Sequence, residues 1–144
     1  MGNASLAKLM SSQSKLQSQA LIPESSKRPC ILYIEENEAF FLKIKACLEN
    51  AGYAVIGATN SWQALAFLPK SPIRLVLGGE LLCGAEGTEL VQKIKESKPD
   101  VPVVLWSRAL PDSMRGLDAF FSAEESPTNF LTLLRKLLER YAAA

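Results

Sequence analysis

Five short apolar runs, all but the fourth followed by a stretch in which apolar residues return every three or four positions, leave this chain few architectures. The runs occupy 30–34, 53–56, 72–79, 102–107 and 119–121. After the first, Phe41, Ile44 and Leu48 share one face of a predicted helix that opens at Asn37 and stops at Gly52. Asparagine accepts from the free first-turn amides, and glycine tolerates the positive φ at which helices end. Asn60 and Ser61 cap a second helix through Trp62, Leu65 and Leu68, which Pro69 breaks. A third, over 88–98, buries Leu90, Val91 and Ile94. Ser126 and Pro127 open the last, which turns Phe130, Leu131, Leu134, Leu137, Leu138 and Tyr141 inward.

Strand and helix repeated in this way predict βαβ units with right-handed crossovers and a parallel sheet covered on both faces. The expected fold is a flavodoxin-like, doubly wound α/β domain whose five strands run in the order 2-1-3-4-5. One interval breaks the rhythm. Residues 108–118 are short and polar and hold Pro111 and Gly116, with room for about two helical turns at most. The fourth helix of such a fold is therefore expected to be shortened or replaced by a loop.

A chain of 144 residues has material for one domain and not for a second core. Residues 1–28, rich in Ser and Gln with scattered Leu6, Leu9 and Met10, are expected to be a flexible tail, and 29–144 the domain. The formal charge is +1, which gives no electrostatic footprint for nucleic acid or an anionic membrane surface. No apolar run approaches the ~20 residues of a membrane span. Leu6 stands where a myristoylation signal at Gly2 requires Ser or Thr, and no secretory signal is evident, so a cytoplasmic location is expected. Cys30, Cys47 and Cys83 make neither a metal nor a disulfide pattern. Cys83 reads as a small apolar filler rather than a reactive thiol. The chain contains no histidine. That excludes Ser-His and Cys-His catalysis, histidine-ligated metals and a phosphohistidine role.

Open parallel sheets bind ligands beyond the carboxyl ends of their strands. At the end of the third run, Gly78 and Gly79 offer no nucleophile, and the first acid, Glu80, comes one residue later.

From about Arg28 to Tyr141 the chain resembles the receiver domains of two-component response regulators. The likeness rests on Ile31-Leu-Tyr-Ile-Glu-Glu-Asn37, on Leu48-Glu-Asn-Ala-Gly-Tyr53, on Asn60-Ser-Trp-Gln-Ala-Leu65, on 75–90 with Gly87 and Glu89-Leu90, and on 102–107. The resemblance implies a switch driven by phosphorylation of an aspartate after the third strand. An acidic pair would hold Mg²⁺, a hydroxyl and a lysine would grip the phosphoryl group, and an aromatic on the fifth strand would move. Glu35 and Glu36 fall at the acidic pair, Ser107 at the hydroxyl and Phe120 at the aromatic. Gly79, eight residues before Gly87, falls at the aspartate, and Ala123, four before Pro127, at the lysine.

Glycine has no carboxylate to receive a phosphoryl group, and alanine cannot balance its charge. Glu35 and Glu36, each one methylene longer than aspartate, suit the strict octahedral demands of Mg²⁺ poorly. They read as two solvated acids beside a helix N-terminus. No cofactor is therefore expected, Mg²⁺ binding is doubtful, and no enzyme activity is foreseen.

The leading expectation is a phosphorylation-independent receiver-like domain that serves as a protein-interaction module in two-component-type signalling. A signalling protein would be its partner, and a second copy of the chain remains open. Trp62 and Trp106, with Phe120, are candidate interface anchors, though core filling explains them equally. One alternative is an active phosphoreceiver using Glu80, which needs a one-residue strand shift that turns side chains to the opposite face. Another is a flavodoxin-like small-ligand domain. Gly78, Gly79, Gly84 and Gly87 could cradle a phosphate, but no Gly-Lys-Ser/Thr follows them.

Overall fold

The computed structural model describes residues 28–124 and 126–142. The expected tail lies outside them except for Arg28. Five strands alternate with four helices: β1 Cys30–Ile34, α1 Glu38–Asn50, β2 Ala54–Ala58, α2 Ser61–Phe67, β3 Ile73–Gly78, α3 Ala85–Ser97, β4 Val103–Ser107, β5 Ala119–Ser122 and α4 Pro127–Ala142. All neighbouring strands are parallel, in the order β2-β1-β3-β4-β5. This is the fold class and strand order expected from the alternation.

The predicted signals act where they should. The Asn37 side chain accepts from the amide of Phe40, and that of Asn60 from the amide of Gln63. Gly52, just past α1, has a φ of 101°. Pro69 sits in a 3-10 turn, Leu68–Lys70, that ends α2. Helix α3 begins three residues before the expected 88, with Gly84 at its cap and the Thr88 hydroxyl donating to the Gly84 carbonyl at 3.2 Å.

The sheet is buried on both faces, as a parallel sheet must be. On one, Leu32, Ile34, Ile56, Val76 and Leu105 pack under Ala64 of α2, Leu68 of the 3-10 turn that ends it, and Leu90, Val91 and Ile94 of α3. On the other, Ile31, Tyr33, Leu75, Leu77 and Val104 meet Ile44 and Leu48 of α1 and Phe130, Leu134, Leu137 and Leu138 of α4.

No helix joins β4 to β5. Residues 108–118 cross on the α3 side as irregular chain. Gly116, at φ 81°, lets the backbone turn there, and a Cβ at this position would stand 2.8 Å from Val91. The crossover is pinned at its far end by Asp118, whose carboxylate accepts from Lys95 Nζ and the Val103 amide, both at 2.7 Å, and from the Tyr141 hydroxyl at 2.6 Å. No helix among the described residues is long and apolar enough to cross a membrane.

Candidate functional site

The carboxyl ends of β1, β3, β4 and β5 open into a cleft of about 360 Å³ lined by Glu35, Glu36, Asn37, Phe40, Glu80, Trp106, Ser107, Arg108 and Ala123. Main-chain bonds run past the strand ends and fix these residues. The Glu35 amide donates to Ala58 at 2.9 Å, the Gly79 amide to Ile34 at 3.0 Å, and the Ala123 amide to Ser107 at 3.0 Å. The sheet therefore sets the spacing of the site, and loops supply only its rim.

Glu35 and Glu36 do not behave as a pair. Glu36 is exposed, as expected of a solvated acid, but Glu35 is 7% exposed, which corrects that reading for it. Its Oε2 accepts from the Asn37 amide at 3.0 Å, and its Oε1 lies 3.5 Å from the Tyr33 hydroxyl. The extra methylene lets the carboxylate fold back over the end of β3. A Cβ built on Gly79 would overlap Glu35 Oε1. Gly79 is buried, its φ of −93° is open to any residue, and what excludes a side chain there is the glutamate.

Burial raises the Glu35 carboxyl above the ordinary glutamate range. The Asn37 amide and Tyr33 hydroxyl oppose that rise, while the negative charges of Glu80 and Glu36 add to it. Tyr33 is in turn pushed up by burial and by the Glu35 charge.

Glu80 opens a 3-10 turn, Glu80–Leu82, and faces solvent at the cleft. It lies beyond the end of β3, and the strand has not shifted to carry it. Ser107, 2% exposed, is already engaged: its Oγ accepts from the Ala109 amide at 3.0 Å and lies 3.3 Å from Cys83 Sγ. Cys83 is half-buried there, filling space between the loop after β3 and the end of β4. Ala123 is half-buried at the end of the cleft.

Phe120 packs half-buried on the α2 and α3 face. Trp106 faces the opposite side, its ring 5.5 Å from Phe130 and 6.4 Å from Phe40. Trp62 is on α2 and 83% exposed, so it neither fills the core nor joins Trp106. The three aromatic residues grouped from sequence are thus not brought together.

Arg108 was missed as a site residue. It follows β4 directly, lines the cleft, and holds its guanidinium 5.4 Å from the centre of the Phe40 ring. The signal available was its position one residue beyond Ser107, at a strand's carboxyl end.

The residues present do not fit the Mg²⁺ that a receiver-type site would hold. Glu35 is turned onto Asn37 and over Gly79, position 79 supplies no carboxylate, and no group of three or more acidic, histidine or cysteine ligands among the described residues could hold a metal.

No protein-family model matches the chain. It is 29% identical over 90 residues to the uncharacterized transcriptional regulatory protein YkoG of Bacillus subtilis, covering 61% of this chain and 40% of that protein. With the phosphate regulon transcriptional regulatory protein PhoB of Pseudomonas aeruginosa it shares 26% identity over 118 residues, 76% of this chain and 52% of that one. The chain therefore spans about half or less of the length of these curated relatives. Among solved structures, a response regulator from Thermotoga maritima superposes with a TM-score of 0.69 at 25% identity, over 78% of this chain and 98% of the other. By fold and by sequence relatives alike, this chain is similar to response regulators and their receiver domains, and its five parallel strands follow the same 2-1-3-4-5 order.

Proposed function

We propose that this domain works in two-component-type signalling without being phosphorylated, presenting a standing surface to a signalling protein. The observation that carries the reading is the occupancy of the acceptor position. Where a receiver needs an aspartate, Gly79 provides no side chain, and the carboxylate of Glu35 fills the space that one would use. A glutamate held by the Asn37 amide and turned over the end of β3 is poorly placed to attack a phosphoryl donor. Glu80 is a poor substitute acceptor, because Ala123 brings no cation and the Arg108 guanidinium is held against the Phe40 ring rather than on a transferred group.

On this reading the domain uses no cofactor, catalyses nothing, and contacts neither nucleic acid nor membrane. Its partner is a protein. Incubation of the full chain with acetyl phosphate and Mg²⁺, followed by intact-mass measurement, tests it. The expected result is an unchanged mass, and a gain of one phosphoryl group would overturn the reading.

A further inference from the structure

Helix α2 lacks what the outer face of a surface helix needs. The other three helices each carry at least four charged residues, whereas residues 59–69, which span α2, carry none. Helix surfaces that face water are ordinarily polar or charged. Here Trp62 is 83% exposed, and Ala66, one turn on, is exposed too. Tryptophan is enriched among the anchors of protein interfaces, and an indole this exposed buries little of its ring.

A groove of about 260 Å³ lies between α2 and α3, lined by Ser61 and Leu65 on one side and by Glu86, Glu89, Leu90 and Lys93 on the other. Ala64 is buried toward the sheet. Leu65 stands about 100° round the helix from it and Trp62 about 160° on the same side, so the indole forms the outer lip of the groove. The α3 wall is net acidic, with two carboxylates against Lys93. Neither glutamate is in an ion pair, since those among the described residues join Lys45 to Glu49 and Lys95 to Asp118.

The chain itself holds a segment of matching chemistry. Leu6, Leu9 and Met10 fall at i, i+3 and i+4, the spacing that sets side chains on one side of a helical turn. Residues 1–23 include Lys8 and Lys15 and no acid. Between Met10 and Arg28, where the described chain begins, residues 11–27 can span up to about 55 Å. The strand they lead into, β1, rises only about 17 Å over its five residues. A tether of this kind gives an effective concentration in the millimolar range, so a small contact suffices.

We propose that residues 5–16 of this chain lie over α2 and its groove with α3, with Leu9 and Met10 against Trp62 and Leu65 and with Lys8 drawn to Glu86 and Glu89. The segment is then a removable cover, and a protein that binds α2 has first to displace it. None of these residues belongs to the cleft at the strand ends, so the contact stands or falls apart from the function proposed above.

The test is the nuclear Overhauser spectrum of the isotope-labelled full chain. The expected result is cross-peaks between the Met10 methyl and the Trp62 ring that persist on about tenfold dilution, as an intramolecular contact must. Leu9→Ser/Met10→Ser should remove them and move the Trp62 indole N–H while leaving that of Trp106 in place. Glu86→Gln/Glu89→Gln should move the same signal part of the way, as should about 0.5 M salt, which screens exposed charges. Both glutamates are exposed, and Leu9 and Met10 precede β1, so these variants leave the core intact. Absence of the cross-peaks, or a Trp62 signal indifferent to both variants, would overturn the cover. Cross-peaks that fade on dilution would overturn it as well, because the occupant would then be a second copy.

Discussion

Glu35 and Gly79 are best understood together. The Glu35 carboxylate, at the end of β1, occupies the space that a side chain at position 79, at the end of β3, would need. Gly79→Asp alone should therefore destabilise the fold by about 1–3 kcal/mol through overpacking, and Glu35→Asp in the same chain should recover part of that loss. The check is a double-mutant cycle by urea unfolding, in which additive effects would count against the interlock. Glu35 also carries a pH signature. Its folded-state carboxyl is raised, chiefly by burial. The proton is thus held more tightly in the folded state, and stability falls as pH rises from the ordinary carboxylate range through the folded value. Glu35→Gln should raise Tm at pH ~7, and the gain should vanish near pH ~3, where the carboxyl is neutral in folded and unfolded states alike. Thermal melts at the two pH values decide it. Sequence alone placed Gly79 just past the third strand and Glu35 and Glu36 just past the first, where the structure has them. It could not show that Glu35 folds inward, because one methylene changes reach and not periodicity. Arg108 escaped for a similar reason: its attraction to Phe40 joins residues far apart in the chain.

The element most unlike its neighbours is the crossover at 108–118, which joins two parallel strands without a helix. Its hold on the sheet is Asp118. Burial alone would raise that carboxyl, but hydrogen bonds from Lys95, Tyr141 and the Val103 amide, with the Lys95 charge, leave it below the usual aspartate range. A lowered carboxyl contributes stability above its unfolded value, about 3.9, and loses it as pH falls through the folded value. Asp118→Asn should cost about 1–3 kcal/mol at neutral pH, the range for a hydrogen bond to a charged group, and should flatten the acid limb of the stability profile. Unfolding of both proteins from pH ~7 to pH ~3 measures this. The shortening of this segment was legible from its length, its polarity and Pro111. The way it is fastened was not, since Asp118 meets residues on α3, β4 and α4 that only the fold brings together. Trp62 shows the same limit in reverse. Its place in a helical repeat suggested an inward face or a shared surface with Trp106, and it stands on α2, exposed, across the sheet.

At the scale of the whole molecule, alternating strands and helices dictated a parallel sheet, and a parallel sheet dictated that its site lie at the carboxyl ends of the strands. Both followed from periodicity, which is why the fold was more legible than the site. The same architecture makes the function of the domain a question about whether its surface changes state. On the function proposed above, the domain has neither acceptor nor metal site, and acetyl phosphate then has nothing through which to bias it between conformations. The most direct measurement is the amide spectrum of the full chain with and without acetyl phosphate and Mg²⁺. Superimposable spectra are the predicted result. Shifts gathered at Gly79, Glu80, Ser107 and Phe120 would show a working phosphoswitch and contradict it.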